Sequence, residues 1–254
     1  MKHKFTISLI SLLVVAFLTP TASSKKRRQK NRKPTTEAVQ ASSIRLELID
    51  TRLLSVPFGQ PMSEAMTWIE GRVSQSYEPR FATALDARER DTLKHRMTRE
   101  VQELRNKVVS FDGKVTGFEA SVVQGEFEVN ASESLLLFRD GNVDHYLFFS
   151  EGVLWKYARP LRVTDTFETR LAQWRADQGP PTAIQEAGAV SFANAQWLGL
   201  DYSLRLEDRR LVSASDLLVI EWRKSTEAVT ARRTAAREAA AKTTGETNLD
   251  SYFE

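Results

Sequence analysis

The sequence contains no cysteine, and this absence removes several kinds of chemistry at once. Without a thiol the chain forms no disulfide, carries no thiolate metal site and offers no cysteine to a lipid anchor. Catalysis by a cysteine nucleophile is excluded for the same reason. A chain of 254 residues is long enough to bury a stable core without disulfide bonds.

The sequence also has few histidines and no glycine-rich motif of the kind that binds nucleotides. The chain has three histidines, and His3 lies in the first few residues. No serine occupies a recognisable nucleophile elbow, and no glycine-rich loop carries the Lys-Ser/Thr pair that binds nucleotide phosphates. The sequence therefore predicts no catalytic residue, no metal site and no cofactor. Paired carboxylates remain open, because such pairs can lie far apart in sequence.

The first 24 residues have the layout of an export signal. Lys2 and Lys4 form a basic start, residues 5–18 are apolar and uncharged, and Pro20 is followed by small residues. The apolar run of about 14 residues is shorter than the roughly 20 that a membrane-spanning helix needs. We therefore expect cleavage after Ser23 or Ser24 and a periplasmic or secreted protein. The alternative is an uncleaved signal that anchors the protein to the inner membrane.

Residues 25–43 are predicted to form a disordered basic arm, which is a candidate polyanion-binding segment. Its seven cations are Lys25, Lys26, Arg27, Arg28, Lys30, Arg32 and Lys33. They would attract an anionic lipid or polymer, and the absence of aromatic residues argues against sequence-specific nucleic-acid binding. Positive charge after an apolar segment also resists translocation, which opposes the export prediction.

The small net charge of +3 hides a division between this arm and the rest of the chain. Once Lys2, Lys4 and the seven cations of the arm are set aside, 27 Lys and Arg face 33 Asp and Glu. The remainder is therefore acidic, and attraction for polyanions is expected from the arm alone.

Residues 44–224 are predicted to form one α+β domain. Residues 44–111 read as mainly helical after a first strand, with apolar residues at spacings of three and four. Residues 112–224 read as mainly strands with tight turns and one helix. This order predicts an antiparallel sheet of about five to seven strands with helices packed on one face. Residues 225–254 form a charged, alanine-rich tail in which Val229 is the only large apolar residue before the last few positions.

Three polar groups resemble parts of known sites but have simpler explanations. Asp140, Asn142, Asp144 and Glu151 follow most of a calcium-loop spacing, but His145 stands where that loop requires glycine, so a hairpin turn is favoured. His95 with Asp91 and Glu100 is interpreted as part of a solvated ion-pair face of a helix. His145 beside Asp144 lacks a nucleophilic serine.

Most of the tryptophans lie in the apolar phase of their elements and are predicted to be core residues. Trp197 is the exception, because it is out of phase with Leu198, Leu200 and Tyr202. We therefore predict that it projects from the opposite sheet face, and it is our candidate ligand-binding residue.

These observations favour an exported, non-catalytic protein that binds a protein partner or a small ligand in the cell envelope. One alternative is a carboxylate-dependent hydrolase of envelope glycans. Another is a membrane-anchored protein that binds polyanions through its arm.

Overall fold

The computed structural model describes residues 44–45, 55–162, 165–188 and 192–250. The predicted signal, the basic arm and most of the predicted first strand lie outside these residues. Within the described ranges, no helix combines the length and the hydropathy that crossing a membrane requires.

The described residues form four α-helices, a short 3-10 helix at Phe118–Ala120 and eight β-strands. The helices are α1 (Met62–Thr83), α2 (Ala87–Arg105), α3 (Phe167–Gln178) and α4 (Arg223–Asp250). The strands are β1 (Val108–Ser110), β2 (Glu133–Asp140), β3 (Val143–Ser150), β4 (Val153–Arg162), β5 (Ala183–Gln185), β6 (Asn194–Leu198), β7 (Tyr202–Asp208) and β8 (Ser215–Trp222).

All eight strands belong to one antiparallel sheet with the order β1-β2-β3-β4-β8-β7-β6-β5. The predicted α+β class and antiparallel sheet are confirmed, but the predicted number of five to seven strands is wrong. The two edge strands, β1 and β5, have only three residues each, which is too short for an alternating pattern to reveal.

Helices α1 and α2 form from the apolar spacing that the sequence shows. Helix α1 begins after Pro61 and buries Ile69, Val73 and Tyr77 on one face. It continues through Pro79, a residue type that often ends or kinks a helix. The N-cap Asp86 of α2 accepts a hydrogen bond from the backbone N–H of Glu89 at 2.8 Å, which satisfies one of the free donors of the first turn.

The sheet has a separate apolar core on each face. The first core packs helices α1, α2 and α3 against one face. The second core lies on the other face, beneath the segment 111–130 and helix α4, whose Val229 is 1% exposed. The prediction that helices pack on one face is therefore wrong. Among residues 223–243 of this helix, whose burial is described, Val229 is the one buried apolar residue, and ion pairs from Arg232, Arg233 and Arg237 also hold the helix.

A β-bulge in β4 changes the faces of its side chains. Phe148 of β3 pairs with Lys156, whereas the next residue, Phe149, pairs with Leu154. Trp155 and Lys156 therefore both face the second core, while Tyr157 faces the first. Strict alternation along a strand would instead place Trp155 and Tyr157 on the same face. The bulge carries the amino group of Lys156 under segment 111–130.

Candidate functional site

Five charged residues meet on the second face of the sheet, and we call them the buried charge cluster. Arg205 and Glu207 are two residues apart on β7, so they share a face. Arg209 follows β7, Lys156 comes from the β4 bulge, and Glu126 descends from the segment that covers this face. Charged side chains this deeply placed are found in proteins when they are paired.

Glu126 is the centre of the cluster. Its Oε2 accepts from Lys156 Nζ at 3.0 Å and from Arg205 Nη2 at 2.8 Å. Its Oε1 accepts from Arg209 Nη2 at 3.2 Å and from Arg205 Nη2 at 3.1 Å. Arg233 of α4 donates to the backbone carbonyl of Glu126 at 2.7 Å. One carboxylate thus joins the covering segment to three cations of the sheet.

Glu207 shares two of these cations. Arg209 Nε donates to Glu207 Oε2 at 2.7 Å, and Arg205 Nη1 donates to Glu207 Oε1. Two guanidinium groups therefore bridge two carboxylates. With Glu221, which lies 3.9 Å from Lys156 Nζ and 3.7 Å from Arg205 Nη2, three cations face three carboxylates and the local charge is zero.

The environments of the two central carboxylates displace their pKa values in opposite directions. Burial raises the pKa of Glu126, but the charges of Lys156, Arg205 and Arg209 outweigh burial and lower this pKa to about 2. Burial raises the pKa of Glu207, and the negative charge of Glu126 adds to this effect against the two arginines. Burial also lowers the pKa of Lys156, against the charge of Glu126.

A cleft of about 660 Å³ opens beside this cluster, and we call it the β5 cleft because it borders the end of that strand. Its volume lies in the range of small-molecule sites. Its lining includes four cluster residues, Glu126, Arg205, Glu207 and Arg209, together with Gln124, Gln185, Phe192 and Asn194. The ring centroid of Phe192 lies 4.1 Å from Arg209 Cζ, and Leu211 is 94% exposed at the cleft.

The chemical capacity of the cluster is limited by its internal bonds. Each of the four carboxylate oxygens of Glu126 and Glu207 accepts from a lysine or an arginine. A general base needs an oxygen that can reach the proton it removes. The cluster therefore supports the walls of the cleft, and the remaining lining residues are the ones that can contact a ligand.

Trp197, the predicted ligand-binding residue, lies in the first core and not on the opposite face. It is 2% exposed, pairs with the buried Leu204, and donates its indole N–H to the carbonyl of Gly179 at 2.9 Å. The phase argument failed because β6 ends at Leu198 and β7 begins at Tyr202, with a turn between them. The alternation of side chains between the two faces of a sheet cannot be continued from one strand to the next across a turn. Trp197 offers no surface to a ligand.

The calcium-like group lies in a hairpin, as expected. Asp140 and Val143 pair at the ends of the β2–β3 turn, and the acidic side chains bind arginines. Arg72 bonds to Asp140 at 2.9 Å and Arg139 to Asp144 at 2.6 Å. Glu151 lies in the next turn with Arg232 at 3.0 Å. In the described part of the chain, no three His, Asp or Glu side chains converge as a metal site requires.

The two histidines of the domain lie in different elements, His145 on β3 and His95 on α2. His145 Nδ1 shares a hydrogen bond of 2.7 Å with the hydroxyl of Tyr157. His95 is exposed on α2, and Glu100 accepts from the hydroxyl of Tyr77 at 2.8 Å. The seven cations of the arm, from Lys25 to Lys33, lie outside the described residues.

Sequence reasoning missed the whole cluster. Arg205 and Glu207 alternate with Leu204 and Leu206, which is the pattern of a strand with one solvated face. The signal that was overlooked is Lys156, a charged residue inside the otherwise uncharged run 153–158 of a central strand.

No protein-family model matches this chain, and no curated protein or solved structure is significantly similar to it.

Proposed function

We propose that this chain is an exported, non-catalytic protein that binds its ligand or partner in the β5 cleft. The observation that carries the proposal is the satisfied state of the buried charge cluster. All four oxygens of its two central carboxylates are engaged by cations, so the cleft has a fixed, charge-neutral wall. Rigid walls lower the entropy lost when a ligand is held.

Export is supported by the sequence of residues 1–24 and not by the fold. The basic arm would then hold the protein near anionic lipid or polymer of the envelope, by contacts that weaken as salt concentration rises.

A carboxylate-dependent hydrolase of envelope glycans is the second candidate, and one observation favours it. The pKa of Glu126 is lowered and that of Glu207 is raised. Enzymes that use two carboxyl groups as acid and base separate the pKa values of the two groups in this way. The two proposals differ in one measurable respect. A hydrolase would cleave a glycan panel and lose this activity on Glu207→Gln, whereas the binding protein would leave every glycan intact.

A photo-crosslinking amino acid placed at Leu211 tests the binding site. Leu211 lines the β5 cleft and is 94% exposed, so a bound molecule should lie within reach of its side chain. After irradiation in an envelope extract, we expect a new adduct in the intact-mass spectrum of the protein.

The matched control is Leu85, which is also 94% exposed but lies in the α1–α2 connection. The same crosslinker at Leu85 should give no such adduct. Equal labelling at both positions, or none at Leu211, would contradict the assignment of the cleft.

A further inference from the structure

Three amide side chains give the β5 cleft hydrogen-bonding groups that carry no charge. Asn194 Nδ2 donates to Gln185 Oε1 at 3.1 Å, which holds this pair in place at the β5–β6 end. In the described part of the chain, Asn194 Oδ1, Gln185 Nε2 and the side-chain amide of Gln124 take part in no hydrogen bond with the protein. The cleft thus presents donors and acceptors together.

The cleft also has an apolar surface. Phe192 is half-buried, with Arg209 stacked near its ring. Ala187 and Ala193 add small apolar walls beside it, and Leu211 stands at the opening. A ligand that fits this lining has a flat apolar face and hydrogen-bonding groups around its edge.

Charge narrows the class of ligand further. The cations and carboxylates beside the cleft already balance, and Asp208 at its border is paired with Arg210 at 2.7 Å. A charged ligand group buried here would lose its hydration, and among the described lining residues it would find no unpaired opposite charge. An uncharged ligand avoids this cost.

We propose that the β5 cleft binds an uncharged saccharide, an inference that rests on the function proposed above. The C–H groups on one face of a pyranose form an apolar surface that matches Phe192. The ring hydroxyls both donate and accept, as the amides of Gln124, Gln185 and Asn194 do. The cleft volume of about 660 Å³ suits a short oligosaccharide segment.

The strand β5 offers a second mode of recognition, which the geometry favours less. An extended peptide can pair with a sheet edge, but β5 has only three residues, and Glu186 follows it with a charge. Very short and charged edges are those that resist pairing. A peptide ligand is therefore an outcome of the test and not the proposal.

Titration calorimetry with defined probes tests the saccharide proposal. The probes are trimers of glucose (α-1,4 and β-1,4), a trimer of N-acetylglucosamine, a trimer of galacturonate and an uncharged octapeptide. We expect at least one neutral trimer to bind and the galacturonate trimer not to bind. Phe192→Ala should weaken that binding by about tenfold, and Gln124→Ala by about three- to tenfold.

Phe81→Ala is the control, because Phe81 is also half-buried but lies at the end of α1. It should leave the affinity unchanged, and circular dichroism would show that each variant is folded. Binding of the peptide or galacturonate alone, binding unaffected by Phe192→Ala, or no binding of any probe would overturn the saccharide proposal. An adduct at Leu211 in the same protein would show that the cleft still binds something else, so the two proposals fail separately.

Discussion

Replacing Glu126 by glutamine is expected to lower the free energy of unfolding by about 3–5 kcal/mol at pH 7, as removal of one partner from a buried ion pair does. Glutamine keeps the shape of the side chain but removes the charge that Lys156, Arg205 and Arg209 share. Lys156 and Arg209 would stay buried, and Arg205 half-buried, with too little negative charge nearby. Urea denaturation followed by tryptophan fluorescence measures the change.

Glu207→Gln is the matched control, because this side chain is also buried and shares Arg205 and Arg209. Its raised pKa means that its surroundings disfavour the charged form. We therefore expect Glu207→Gln to change the unfolding free energy by no more than about 1 kcal/mol at pH 7. Equal effects of the two substitutions would contradict the central position of Glu126.

The difference in unfolding free energy between the wild type and Glu126→Gln should depend on pH. The pKa of Glu126 is about 2 in the folded protein and 4.5 for an unperturbed glutamate. A lowered pKa of an acid adds stability above the unfolded value, and this stability is lost as the pH falls towards the folded value. The pKa change corresponds to about 3 kcal/mol. The unfolding free energies of the two proteins should therefore converge as the pH falls from 4.5 to 2.

Trp197→Ala is expected to lower the free energy of unfolding by about 3–5 kcal/mol, as removal of a large core aromatic does. The indole is enclosed by the first core and packs against Trp174 with ring centroids 6.1 Å apart. Urea denaturation measures the loss. A surface residue devoted to ligand binding would change stability by less than about 0.5 kcal/mol.

Trp197→Phe separates packing from hydrogen bonding. Phenylalanine retains much of the apolar volume but leaves the carbonyl of Gly179 without the indole N–H that bonds to it at 2.9 Å. We expect a loss of about 1–2 kcal/mol, since an unsatisfied buried acceptor carries a penalty of this size. A loss as large as that of the alanine variant would show that the hydrogen bond, and not packing, dominates.

The helices and long strands could be predicted because their burial follows a regular period. The spacing from Met62 to Val73 predicts a helix that buries one face, and Leu204 and Leu206 alternate as β7 does. The edge strands are too short to show any period. The bulge at Trp155 and Lys156 shifts the register through pairing with β3, which no local pattern encodes.

The candidate site could not be predicted because its parts come from distant segments. Glu126 and Arg205 are 79 positions apart and meet only when segment 111–130 covers the sheet. Helix α4 completes that cover with Arg233, from a stretch whose composition suggested a solvated tail. Helix α4 is held against the sheet largely by ion pairs, whereas sequence patterns reveal a packed helix by its apolar stripe.

Export is the claim on which the role in the cell envelope depends, and the N-terminus of the protein isolated from its own cells tests it most directly. We predict that Edman sequencing or intact-mass analysis finds a chain in the envelope or secreted fraction that begins after Ser23 or Ser24. A chain that retains Met1 and fractionates with the cytosol would contradict the account.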